Sequence, residues 1–189
     1  MGMLKIKREA DVRATKCILH RVADIPGGVG IDTSKLGGAA LKEGTPLGKG
    51  SDGLYLVVKT AVVSENASAS ATAIKVAKGH HFLAGDKISN GTANAQTIAS
   101  IDKSNASYDV ITVSTTLGAA LTAGNVLIEA NSGAATLAVT PVAIAGSSYD
   151  VVAGENLFVD AWLIAVVKED SAPAVSTAIK TALKTVVYV

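Results

Sequence analysis

The side chains able to do chemistry are few, and they do not gather in the sequence. His80 and His81 are adjacent, and on an extended chain successive side chains point to opposite faces, so the pair is not arranged to chelate one ion. Zinc takes three or four convergent ligands, and Asp86 would join the histidines only if the chain folded back. Cys17 and His20 have a C-x-x-H spacing but no second pair. Gly48, Gly50 and Gly53 satisfy G-x-G-x-x-G, yet a dinucleotide fingerprint follows a strand and opens a helix, and here a strand is expected to follow. Serine-elbow, H-E-x-x-H and phosphate-loop motifs are missing from the sequence. Asp52, Asp86, Asp109 and Asp150 stand in turn-like surroundings. These patterns predict no catalytic residue, no cofactor-binding residue and no metal ligand, and a protein that is not an enzyme.

The elements that would position such residues are written in small and β-branched side chains. Charged residues are 17% of the 189-residue chain, below the roughly 25% of an average globular protein. Ala, Val, Thr, Ser and Gly suit pleated, half-buried surfaces. A formal net charge of +1 and 4% aromatic residues argue against nucleic acid as a partner, which calls for a basic excess and stacking platforms. Cys17 is the one cysteine, so an intrachain disulfide is impossible. The amino terminus lacks the apolar centre of a secretory signal. The longest apolar stretch, 157–167, is interrupted by Asp160 and too short for a bilayer. A soluble protein made in a bacterial cytoplasm, without a membrane partner, is expected.

Along the chain, residues 1–24 carry Lys5, Lys7, Arg8, Arg13, Lys16 and Arg21 against Glu9, Asp11 and Asp24, and read as a basic arm or as a first strand. Residues 25–189 read as a single β-rich domain. Glycine and proline clusters over 25–53 form turns. Strands are expected at 54–58, around Ile74 and Val76, around Ile111 and Val113, at 126–128 and over the whole of 157–167. Leu83-Ala84-Gly85-Asp86-Lys87-Ile88, Leu121-Thr122-Ala123-Gly124-Asn125-Val126 and Val152-Ala153-Gly154-Glu155-Asn156-Leu157 repeat one turn pattern, in which glycine allows a positive φ and a polar residue follows. Their spacing is uneven, which favours a β-barrel or β-sandwich with short connecting turns over a solenoid. Near the end, Ser171 as cap, Pro173 in the first turn and Val175, Ile179 and Leu183 at helical spacing predict one short C-terminal α-helix over 172–184. A last strand over 185–189 follows.

The run 157–167 places Leu157, Val159, Leu163 and Val167 on one face and Phe158, Trp162, Ile164 and Val166 on the other. Both faces then need cover, from the chain itself or from a second copy. A homo-oligomer, a trimer by expectation, would supply it.

The stretch from Gly44-Thr45-Pro46-Leu47 to Thr60-Ala61, with Phe82-Leu83-Ala84-Gly85-Asp86, Tyr108-Asp109-Val110-Ile111-Thr112-Val113 and Leu121-Thr122-Ala123-Gly124, resembles tailed-bacteriophage head fiber and capsid decoration proteins. The resemblance covers residues 25–189 and is nearest to the head-fiber-like proteins of phages and prophages of gut Bacteroidetes. It implies a structural virion protein on the capsid surface, often a β-rich trimer, whose partner is the major capsid protein. No functional residue transfers with it. Lys5, Lys7, Arg8 and Arg13 are the candidates for capsid contact. A carbohydrate-binding or adhesin-type β module is the alternative, weakened because Trp162 and a few tyrosines are its only large aromatic platforms.

Overall fold

Alternating apolar residues give short strands, and glycine turns join them. The structure is a computed structural model that describes residues 16–131, 135–152 and 154–189. In chain order the strands are β1 (Ile18–Asp24), β2 (Val29–Ile31), β3 (Ala40–Leu41), β4 (Pro46–Lys49), β5 (Tyr55–Val57), β6 (Thr60–Val62), β7 (Ala73–Ala77) and β8 (Lys87–Ser89). They continue as β9 (Gln96–Asp102), β10 (Tyr108–Val113), β11 (Val126–Glu129), β12 (Pro141–Ala145), β13 (Tyr149–Asp150), β14 (Leu157–Val159), β15 (Ala161–Val167) and β16 (Val186–Tyr188). A single α-helix among the described residues, α1 (Thr177–Ala182), precedes β16. Strand makes up 42% and helix 7% of the described residues, so the period-two pattern and the mainly β fold class read from the sequence hold.

Two sheets result. One has six strands in the order β6-β11-β8-β9-β10-β7, and a bridge between Val63 and Val76 returns its hydrogen-bonded path to the start. This small barrel encloses a core that includes Ile74, Val76, Phe82, Ile88, Ile111 and Leu127. In β7, Ile74 and Val76 point inward while Lys75 faces out to Glu65 and the Tyr108 ring. The other sheet has eight strands on the path β1-β15-β12-β4-β5-β2-β14, with β16 beside β15. Its path begins beside β15 and ends on β14, the two halves of one chain stretch, so this sheet curls back toward itself. Val29, Ile31, Leu41, Leu47, Ala143 and Val159 fill the inside of the curl. Ile144, Ala165, Val167 and Val186 form a further core with Val175, Ile179 and Leu183 around α1.

The expected single strand over 157–167 is broken at Asp160 and bulged after it. Asp24 pairs with Trp162 and Ala23 with Ile164, leaving Leu163 as an extra residue. A bulge of this kind exchanges the faces of a strand. Leu157, Val159 and Leu163 accordingly feed the core inside the curl, whereas Trp162, Ala165 and Val167 feed the core around α1. The helix is also shorter than expected. Thr60 Oγ1 donates to the Ala174 carbonyl at 2.9 Å and ties the chain before α1 to β6. Ser176 rather than Ser171 then caps α1, accepting from the Ile179 amide at 3.4 Å. Ser171 ends a 3-10 turn instead.

The repeated turn is real and recurs elsewhere among the described residues: Gly27, with φ 83°, makes it where the Gly28 amide donates to the Ile25 carbonyl, and Gly44 makes it too. At Gly44, Gly85, Gly124 and Gly154 the glycine has φ between 81° and 95°, and the next amide donates to the carbonyl three residues back: Thr45 to Lys42, Asp86 to Leu83, Asn125 to Thr122 and Glu155 to Val152. That is a turn with a left-handed third residue. Three of them are clamped alike by one residue of a neighbouring strand. Ala145 accepts from Gly44 and donates to Thr45; Ile98 accepts from Gly85 and donates to Asp86; Val63 accepts from Gly124 and donates to Asn125. The Asp86 and Asn125 side chains close their own turns by accepting from the Leu83 and Thr122 amides at 2.8 and 2.9 Å.

Candidate functional site

The barrel is inserted between β5 and β12 through a neck at which the Glu129 amide donates to the Lys59 carbonyl at 3.0 Å. Lys59 is a lysine inside an apolar run, 57–63, and it is 3% exposed. Its ammonium lies 2.6 Å from Asp86 and 3.2 Å from Glu129, which replaces the hydration lost on burial. Burial raises the Glu129 pKa above the usual carboxylate value, and the Lys59 charge opposes that rise. An ion group so enclosed is a structural clamp.

Next to it lie the two histidines. Both are buried, and they sit after β7 in a non-strand segment. The His80 Nδ1 accepts from the Phe82 amide at 3.2 Å, which leaves the ring proton on Nε2, 3.3 Å from Asp109 Oδ2. The other Asp109 oxygen is held by Lys78 at 2.6 Å. Asp109 is therefore no turn residue: it sits in β10 with the inward parity of Ile111 and Val113 and is buried. Asp150 likewise lies in a strand, β13, while Asp52 and Asp86 do occupy turns, each accepting a local amide. Burial lowers the His80 pKa, partly offset by Asp109, and takes His81 down to about 4, helped by His80, Lys59 and Lys103. The His81 Nδ1 is buried without a hydrogen-bond partner. Among the described residues no three His, Cys, Asp or Glu side chains converge as a metal site would require. A half-open cavity of about 240 Å³ adjoins this seam, walled by Pro46, Val58 and Pro173 with Lys42, Lys78 and His81.

A second polar network fixes β1. The Cys17 amide donates to Glu43 at 2.7 Å, and Arg21 reaches the other Glu43 oxygen at 2.8 Å and the Gly146 carbonyl. The guanidinium lies 5.4 Å from the Trp162 ring centre, and the Trp162 indole and the Tyr149 hydroxyl both donate to Asp160. Cys17 is fully buried, and burial next to Glu43 pushes its thiol pKa up to about 11, which silences it as a nucleophile. His20 is exposed, so the C-x-x-H spacing does not bring the two side chains into one site. Gly48 lies in β4, and Gly50 and Gly53 belong to the turn into β5, not to a helix start.

The remaining feature is a surface. Leu19 and Val22 on β1, Ile164 on β15 and Val187 on β16 are exposed, with Val189 just beyond, on strands that are neighbours. Ala165, Val167 and Val186 turn into the core around α1, so Ile164 and Val187 lie on the opposite, open side of the sheet. On the sequence alone Ile164 needs cover, but that Val22 adjoins Ala23, the β1 partner of Ile164, and that Val187 pairs with neighbouring Val166 is tertiary information. Lys5, Lys7, Arg8 and Arg13 lie outside the described residues. Among the described residues no helix is long and apolar enough to cross a membrane. Comparison with protein-family models, with curated proteins and with solved structures found no match to this chain.

Proposed function

We propose that this chain is a structural, non-catalytic protein of a phage virion, a head fiber or decoration protein that stands on the capsid surface as a homo-oligomer, a trimer in the simplest case. The observation that carries the reading is the aliphatic exposure on β1, β15 and β16, adjoining strands on which Leu19, Val22, Ile164 and Val187, with Val189 just beyond, are open to solvent. Scattered apolar side chains are ordinary on a surface, but a contiguous patch is a contact awaiting a partner. The resemblance of 25–189 to capsid-surface proteins supplies the partner class, with the major capsid protein beneath and copies of this chain alongside. The glycan-binding alternative loses its main platform, because Trp162 is half-buried with Arg21 against its ring.

Two measurements test this. Light scattering on the full chain should give a multiple of the 19.0 kDa protomer, and Ile164→Lys with Val187→Lys should return it to a single protomer with the fold intact. A monomer at micromolar concentration in the wild type removes the oligomer. For the capsid, the chain and a version lacking residues 1–15, short of Cys17 and β1, are compared for retention on purified particles at low and high salt. Loss on deletion, with weakening by salt in the intact chain, is expected if Lys5, Lys7, Arg8 and Arg13 anchor to an acidic shell. Retention of neither version counts against the virion assignment.

A further inference from the structure

Besides the neck and the Thr60 bond to Ala174, the short segment 36–40, which carries no charged side chain, meets the barrel. It lies on the barrel at 80–82. The Gly37 amide donates to the His81 carbonyl at 3.0 Å, and its carbonyl accepts from Lys103 at 2.7 Å. A methyl group on Gly37 would run into the Phe82 carbonyl, and a Cβ on Gly38 would stand 2.9 Å from His81 Nδ1. The backbone of Gly38 is thus seated on the very nitrogen that has no partner. The other side of the imidazole hydrogen-bonds the Ala40 backbone. Only glycine at both positions allows so close an approach.

We propose that segment 36–40 is an acid-released strap: a proton added at His81 Nδ1 lifts it from the barrel and opens the seam. The added proton would be a buried donor with no acceptor, and a cation with no counter-charge. The groups facing it from the barrel are His80, Lys59 and Lys103, with Lys78 behind; Lys35 and Lys42 flank the strap. Asp86 and Glu129 are committed to Lys59, and Asp109 to Lys78 and the His80 side. Lifting the strap brings water to Nδ1, which is the least costly relief. The sign follows from the direction of the shift. The closed form holds His81 at about 4 against an ordinary 6.5, so its hold is complete above 6.5 and declines as pH falls toward 4. Two contacts work the other way: the Asp109 carboxylate favours a charged His80, on that ring only, and the Ala40 backbone bond favours a charged His81 but is the smallest of the influences on it.

The experiment is amide hydrogen exchange on the full chain at pH 7 and pH 4, corrected for intrinsic rates. Gly37 reports the strap, while Ile98 and Ala145, which clamp turns in the barrel and in the curled sheet, report the two bodies. Protection of Gly37 should fall on the order of a hundredfold, as a change from 6.5 to about 4 permits, while Ile98 and Ala145 change little. His81→Gln, which stays neutral, should abolish the acid loss. If that variant does not fold, an imidazole titration of the native chain serves: the Gly37 amide signal should follow the His81 curve and not that of exposed His20. Unchanged Gly37 protection, equal loss at all three amides, a persistent loss in His81→Gln, or a Gly37 signal that ignores His81 would each overturn the strap.

Discussion

The barrel and the curled sheet are built with the same turn, yet they use their surfaces in opposite ways. The barrel returns its hydrogen-bonded path to the start and gathers its aliphatic side chains into one core, so its strands have little left to offer a partner. The curled sheet spreads its apolar residues over two cores, and the bulge at Leu163 decides which core each side chain enters. Its outermost strand, β1, is held by polar contacts to Glu43 and Gly146 and leaves Leu19 and Val22 in solvent. Closure therefore makes a region self-sufficient, and incomplete closure leaves apolar side chains in solvent.

The contrast can be broken first at the barrel core. Leu127 is fully buried, and Leu127→Ala should cost about 3 kcal/mol in a urea titration, within the range for a truncated core leucine. A loss below about 1 kcal/mol would mean that the barrel is not the tightly packed body described above. The polar anchor comes next. Glu43→Gln leaves Arg21 without a counter-charge, although Arg21 is 37% exposed, so about 2 kcal/mol is expected and not the full cost of a buried orphan charge. Trp162, the one tryptophan, lies against Arg21 and should report this loss by fluorescence while barrel amides keep their exchange protection. Coincident loss in both regions would show the two to be one cooperative unit. The smallest effect separates two copies of the same turn. At Gly124, φ is +91° with open space around a Cβ, so Gly124→Ala carries only backbone strain, about 1 to 2 kcal/mol. At Gly44 the same methyl would stand 2.6 Å from Cys17 Sγ, so Gly44→Ala should cost more; equal losses would place the penalty in the backbone alone.

What the sequence disclosed was local. Ile74 and Val76, Ile111 and Val113, and the glycine turns at 85 and 124 are set by alternation and φ, properties of a few residues at a time. The helix core residues Val175, Ile179 and Leu183 were legible for the same reason, while the cap was not, because Thr60 ties the preceding segment from afar. Asp109 could have been placed by its parity with Ile111 and Val113, and Lys59 by its apolar neighbours; both signals were present and outweighed by residue type. The copy at Gly44 lacks the alanine just before the glycine that 85, 124 and 154 share, and the copy at Gly27 lacks the polar residue after it, so neither shows in that pattern. The bulge at Leu163 and the polar grip on β1 were out of reach, since register between distant strands leaves no mark in either strand alone.

The hydrogen bond between Glu129 and Lys59 has a consequence for connectivity. Because incoming and outgoing chains of the barrel are paired where they cross into the curled sheet, the whole of β6 to β11 meets its host as a tight bend would. Joining the ends of a long loop costs entropy that rises with its length, but a segment that brings its own ends together removes that cost from the remainder. The curled sheet can thus carry a second body between two of its adjoining segments as if the connection were only a few residues long.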